Sequence, residues 1–287
     1  MALNNSKFKI TSTLTFPNRV IRVQEASFDS YKSFIKLCYH SDQVDFFLQN
    51  LLYFIQSHTD ATYESLLTLN SLEIMSILLE VRILSLGHAI NMSVNVSSDE
   101  TVRNIAYTKS ASKLQSDIST QINTEMIVIN DLKIRLKMPF VQSYKDTLYT
   151  YNFIDYVEYN NIKYTFIHTL EEEMFYTLPA YSRYILNKAV HKYIEDFKRI
   201  MIVEIEGSVE DNTRSIMISL SPTYEFFVYF IKLILNNNLI TLHENSFRLS
   251  QFANIDLNYI NECSPGEALL YMKLLNAAIT EKNKQKQ

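Results

Sequence analysis

Two histidines in this sequence stand four residues from a glutamate, His168 with Glu172 and His191 with Glu195. On a helix that spacing puts imidazole and carboxylate on one face, where they can share a proton or a metal ion. Neither pair brings a third ligand-type residue in a metal-site pattern, so the favoured reading is a surface ion pair. Glu171, Glu172 and Glu173 form a carboxylate run, but at a helix start such charges meet the positive end of the helix dipole, which explains them without catalysis. Neither Cys38 nor Cys263 has a nearby partner of a recognised catalytic pattern in sequence and no Gly-x-Ser-x-Gly elbow occurs, so nucleophilic catalysis has no local signature. Lys133, Arg135 and Lys137 alternate with Ile134, Leu136 and Met138, projecting three positive charges from one strand face. That face suits an acidic partner or phosphates, although the solvated side of a sheet is the favoured reading. The lysines 282, 284 and 286 carry the same ambiguity. No catalytic, cofactor-binding or metal-binding residue is assigned, and no cofactor is expected.

Composition narrows the function classes further. The chain has 287 residues, 47% hydrophobic and 20% charged, within the ordinary globular range and long enough to bury a real core. Its net charge of −4 gives no global basic field, which argues against nucleic acid as a partner. The three glycines, Gly87, Gly207 and Gly266, are too scattered for a phosphate-cradling loop. Two distant cysteines, and no apolar stretch behind a basic start, predict a protein made in a reducing cytoplasm. The longest apolar run, from Phe226 to Leu235, falls well short of the roughly 20 residues a membrane span needs and contains Lys232. Abundant Asn, Lys, Ile and Tyr with no Trp is the bias of an AT-rich coding sequence.

The elements that position these residues can be read from periodicity and punctuation. Phe8, Ile10, Leu14 and Phe16, then Ile21 and Val23 after Pro17-Asn18, alternate as two short strands. Residues 30 to 58 carry helical spacing with a break near Ser41-Asp42. Asn70 with Glu73 opens a helix that ends at Gly87, followed by a strand through Ile90 and Val96. Residues 97 to 125 lose large apolar side chains and read as an exposed polar insertion. Ile134 to Met138 is a strand, and residues 148 to 158 suit either strand or helix before the turn at Asn160-Asn161. Thr169 with Glu172 caps one helix, Pro179 opens another running to about residue 200, and residues 202–206 with 215–220 form a hairpin. Ser221-Pro222 opens an apolar helix to Leu235, and Ser264-Pro265-Gly266-Glu267 opens the last one. These predict a predominantly helical α+β fold with short antiparallel strands near the N-terminus, in the middle and in a C-terminal hairpin. Residues 1–145 then form an N-terminal α+β region, 146–280 a mainly helical region and 281–287 a flexible tail, the first two separable or one continuous domain.

Two segments have a recognisable look, NSLEIMSILLEVRILSLGHAI at 70–90 and CSPGEALLYMKLL at 263–275. With INDLKIRLKMPF and YNFIDYVEY between them, in that order, the sequence resembles a baseplate hub protein family of T-even-type contractile-tailed bacteriophages. Glu73, Arg82, Ser85 and Gly87, with Ser264, Pro265 and Glu267, fill the motif positions, and the resemblance implies structural roles for them. The paired cysteines of that family's middle region have no counterpart here, which speaks against a zinc site. The resemblance implies a structural or assembly component of a tail baseplate hub, located in the virion, assembled in the host cytoplasm and partnered by other tail or baseplate proteins. The alternatives are a cytoplasmic adaptor or chaperone-like binding module, and an enzyme whose site is assembled from residues distant in sequence.

Overall fold

A computed structural model describes residues 9–98, 101–122, 126–129, 132–165, 171–200, 204–209, 212–217, 223–235 and 239–284. In chain order the elements are β1 (Thr11–Phe16), β2 (Arg19–Gln24), α1 (Phe28–Leu37), α2 (Val44–Ser57), α3 (Tyr63–Leu67), α4 (Ser71–Leu86), β3 (Ala89–Ser98) and β4 (Thr101–Ser110). Then come α5 (Ala111–Ile122), β5 (Ile127–Ile129), β6 (Leu132–Leu136), β7 (Ile154–Tyr159), β8 (Ile162–Thr165), α6 (Glu171–Thr177) and α7 (Ala180–Ile200). Last are β9 (Glu204–Val209), β10 (Asn212–Met217), α8 (Tyr224–Leu235), α9 (Leu239–Phe252), α10 (Leu257–Glu262) and α11 (Pro265–Lys284). Helices predominate and the strands fall into small sheets, the α+β class expected.

The chain divides into two compact units, one built from residues 1–63, 77–89 and 232–287, the other from 64–76 and 90–231. In the first unit β1 and β2 form an antiparallel hairpin that pairs Leu14 with Ile21 and turns at Pro17-Asn18. Alternation sends Phe16, Ile21 and Val23 inward. The break expected near Ser41-Asp42 is there: a single 3-10 turn, Cys38–His40, separates α1 from α2. These two helices bury Phe28, Tyr31 and Phe34 from α1 and Phe47, Leu51 and Ile55 from α2, with the Phe34 and Phe54 rings stacked at 4.0 Å. Ser27 caps α1, its hydroxyl accepting the Ser30 N–H at 3.2 Å, and the Phe28 N–H donates to the Cys263 carbonyl at 2.7 Å.

The second unit is organised by a four-stranded antiparallel sheet in the order β5-β6-β7-β8. Asn160 and Asn161, with φ of 51° and 61°, make the two-residue turn that joins β7 to β8, a left-handed pair of the kind that suits the twist of a hairpin. The ambiguous residues 148–158 resolve into a short 3-10 turn, Thr150–Phe153, followed by β7. Leu132, Ile134 and Leu136 are buried on β6, against which α7 packs with its own buried Leu186, Val190 and Tyr193. The stretch expected as an exposed insertion is partly ordered inward: α5 buries Ala111, Leu114 and Ile118 at helical spacing. The expected cap residue Thr169, the helix start Ser221-Pro222 and the stop at residues 236–238 lie outside the described residues. At the C-terminus the helical path continues to Lys284, inside the tail expected to fray.

α4 carries Ser71–Ser76 in the second unit and Ile77–Leu86 in the first. Its sequence predicts one apolar face, yet every residue from Ser71 to Leu79 is buried, as are Val81, Arg82 and Ser85. Leu, Ile and Met on nearly all sides, with serines at 71, 76 and 85, make that tolerable, because a serine hydroxyl can be satisfied locally.

Candidate functional site

The motif residues of α4 gather at its C-terminal end. Arg82 is only 5% exposed, and its partners among the described residues are backbone carbonyls. Its Nε donates to Ile234 O at 3.0 Å, and its other guanidinium nitrogens donate to Gly87 O and Ala89 O. Ile234 lies in the last turn of α8, whose final carbonyls lack intrahelical donors. Tyr31 Oη donates to the neighbouring Leu235 O at 2.7 Å, so two side chains close this helix end. One cation thus satisfies the end of α8 and the exit of α4 together, where helix dipoles favour positive charge. Burial pulls the Arg82 pKa below its ordinary value, with the nearby Tyr31 opposing.

Around that cation the backbone is tightly fitted. Gly87 has φ of 85°, the left-handed conformation that ends a helix and redirects the chain into β3, and its N–H still reaches Ile83 O at 2.8 Å. Ser85 Oγ donates to Val81 O at 2.6 Å and accepts the Ala26 N–H at 2.8 Å, tying α4 to the segment before α1. Gly266, in the first turn of α11, sits so close to α4 that a Cβ there would stand 2.8 Å from Ser85 O. Ser85 and Leu86 therefore meet the start of α11, where Ser264 Oγ accepts the Glu267 N–H at 3.2 Å and Pro265 occupies the first helical position. Glu267 also accepts from Tyr271 Oη at 2.8 Å and Tyr259 Oη at 3.1 Å. Sequence reasoning reads Gly266 only as part of a cap; a glycine on the packed side of a helix's first turn is the signal that could have marked the close approach.

Glu73 works at the other end of α4, in the second unit. Its carboxylate accepts the Asn70 N–H at 2.9 Å while Asn70 Oδ1 accepts the Glu73 N–H at 3.1 Å, the reciprocal cap the spacing predicts. Next to it, the Ser71 N–H donates to Pro139 O at 2.8 Å and Tyr144 Oη donates to Ser71 Oγ at 3.0 Å, with the Tyr144 ring stacked on Phe227. Burial raises the Tyr144 phenol far above its ordinary range.

The residues with chemical potential are dispersed. His191 is exposed on α7 with Glu195 half-buried one turn on, while His168 lies outside the described residues. Among the described residues, no group of three His, Cys, Asp or Glu is placed to hold a metal ion. Burial pushes the Cys38 thiol up to about 12, partly offset by Lys232, so it stays protonated at neutral pH; the Cys263 thiol is buried and donates to Ile260 O at 3.0 Å. The positive face expected on β6 is largely discharged. Lys133 meets Glu158, its cross-strand neighbour, at 2.6 Å, Arg135 lies 3.6 Å from Asp155, and Lys137 is buried with its ammonium 3.7 Å from the Phe140 ring centroid.

Surface features are more distinctive. In the first unit a cleft of about 780 Å³ is lined by Glu25, Asp29, Glu262 and Glu267 with Lys9, and an apolar groove of about 450 Å³ runs between α1 and α2 beside Phe46 and Tyr53. In the second unit aromatic rings step outward from the core: buried Phe175 touches Tyr151 and Tyr176, Tyr151 stacks on Tyr149 at 5.4 Å, and the Arg183 guanidinium lies 5.6 Å from the Tyr176 ring. Tyr149 and Tyr176 are exposed, and Tyr181 and Tyr184 on α7 are 64% and 63% exposed. Rigid amphipathic rings bared beside an arginine are the composition of protein–protein contact surfaces.

The described residues form a helical α+β scaffold in which Arg82 and Ser85 are tied to backbone atoms and Tyr149, Tyr176, Tyr181 and Tyr184 face solvent. The chain matches the family of T4 bacteriophage base plate proteins over residues 6–263 and belongs to that family, as the motif resemblance implies. It is a phage baseplate protein. The match includes Glu73, Arg82, Ser85 and Gly87 and ends before Ser264, Pro265 and Glu267. Comparison with curated proteins and with solved structures gives no match. Among the described residues, no helix is long and apolar enough to cross a membrane.

Proposed function

We propose that this protein is a structural or assembly component of the baseplate hub, acting through contacts with neighbouring tail proteins and assembled in the host cytoplasm. The observation that carries the reading is the outward run of rings from Phe175 to Tyr176 and from Tyr151 to Tyr149, continued by Tyr181 and Tyr184. Tyrosines lose little conformational entropy on docking and contribute both apolar area and a hydroxyl, so such clusters dominate contact energy. The motif residues support the same reading from the other side: Arg82, Ser85 and Gly87 spend their polar groups on backbone atoms, a scaffolding use that leaves little for substrate chemistry.

The test is a phage carrying Tyr181→Ala with Tyr184→Ala in this gene. The variant should fold, as judged by circular dichroism, and yet fail to enter tails, with the wild-type chain found by mass spectrometry in purified virions or in a tail-assembly intermediate. Absence of the wild-type chain from both preparations overturns the reading in favour of a cytoplasmic adaptor. Normal incorporation of the double variant removes the tyrosine surface from it.

A further inference from the structure

α11 begins as a packed helix and ends as a bare one. Pro265, Ala268 and Met272 are buried, but every residue from Asn276 to Lys284 is exposed. An isolated helical stretch of that length is marginal in water. The side turned away from the packed face carries Leu270 and Leu274, 54% and 59% exposed, then Ala277, at the i, i+4, i+7 spacing by which helices dock. The last turn carries Lys282 and Lys284 beside an exposed Glu281, a net positive end, and neither lysine has an ion-pair partner among the described residues.

The base of the same helix has the opposite character. The cleft there is lined by Glu25, Asp29, Glu262 and Glu267 against one cation, Lys9, and it keeps an acidic balance even though Lys32 lies 3.7 Å from Asp29. The stripe and the cleft belong to one unit and repeat in every copy of the chain. If two α11 helices pack antiparallel about a two-fold axis level with Met272, Leu270 of each meets Leu274 of the other. Lys282 and Lys284 then extend about 15–18 Å past the axis, while the partner's helix begins only about 10 Å past it. The basic end therefore overhangs the start of the other α11, where Glu262 and Glu267 line the cleft. An isologous contact needs one surface to complement itself, and here apolar meets apolar at the centre while basic meets acidic at both ends.

We propose that α11 is a self-association helix, its occupant a second copy of this chain held antiparallel by Leu270 and Leu274 and locked by Lys282 and Lys284 in the acidic cleft. This goes beyond the baseplate reading and is tested without other tail proteins, so either can fail alone. Sedimentation equilibrium of the full chain should give a concentration-dependent mass approaching twice 33.6 kDa, weakened by high salt. Leu274→Glu should abolish the dimer while leaving the circular dichroism spectrum unchanged. Lys282→Glu with Lys284→Glu should weaken it about tenfold. Mixing that variant with Glu262→Lys should recover a heterodimer, since both ends of the mixed pair then set opposite charges against each other. A chain that stays monomeric at the highest soluble concentration, or a dimer indifferent to Leu274→Glu, overturns the proposal; failure of the charge-swapped mixture to recover overturns the antiparallel arrangement.

Discussion

α4 and α11 are helices of similar length in opposite circumstances. α4 has Ser71 to Leu79 buried on all sides and its buried polar side chains hydrogen-bonded, while α11 loses cover after Leu275 and turns bare leucines to solvent. The family match contains all of α4 and stops before α11 begins. The difference separates two tasks: α4 sets the fold, where any change must be absorbed by close-packed neighbours, whereas α11 offers a surface whose changes cost the fold little.

That contrast can be broken at several points. The largest effect should come from Arg82→Ala, which strands the carbonyls of Ile234, Gly87 and Ala89; a loss of about 3–5 kcal/mol is expected from urea unfolding. Gly266→Ala forces a methyl to within 2.8 Å of Ser85 O and should lower stability by about 1–3 kcal/mol, although it lies on α11, because the base of that helix belongs to the packed side of the comparison. Asn70→Ala removes one half of the cap with Glu73 and should cost about 1 kcal/mol by the same measurement.

A smaller effect, confined to acid pH, should come from His58. Burial lowers its pKa from 6.5, against a raising hydrogen bond to Phe54 O at 2.7 Å, and Ser30 Oγ lies 3.2 Å from the other ring nitrogen. The folded state then disfavours the proton that the unfolded chain accepts. This contribution to stability is complete above about pH 6.5 and is lost as pH falls towards the lowered value. Urea midpoints between pH 7.5 and 5.5 should fall for the wild type and less steeply for His58→Gln; equal slopes would remove His58 from the account. At the bottom of the scale, Leu270→Ala should change the unfolding free energy by less than about 0.5 kcal/mol, and a larger loss would show that α11 is part of the core after all.

Local punctuation was legible in the sequence because its physics is local. Asn70 with Glu73, Gly87, Ser264 with Pro265, and the Asn160-Asn161 turn each act within a few residues, and each stands where its chemistry predicts. α9 and α10 were not legible: in α9 only Leu242, Ser246 and Leu249 are buried, while Ile240 and Phe247 are exposed and blur the helical stripe. The ion pairs on β6 were out of reach for a related reason, since Glu158 and Asp155 meet Lys133 and Arg135 only through strand pairing. The Ile234 partner of Arg82 was beyond reach, because it lies 152 positions away and nothing in a single sequence marks a carbonyl as an acceptor.

The closing of α8 by Tyr31 and Arg82 also has a consequence for biosynthesis. Tyr31 waits for a carbonyl 204 positions later, and the unit it belongs to draws on residues 1–63 and 232–287. At bacterial elongation speeds, on the order of 5–20 residues per second, the apolar sides of α1 and α2 stay without their final neighbours for roughly ten to forty seconds on the ribosome. That interval is when this chain is most open to aggregation, and when a chaperone has most to protect.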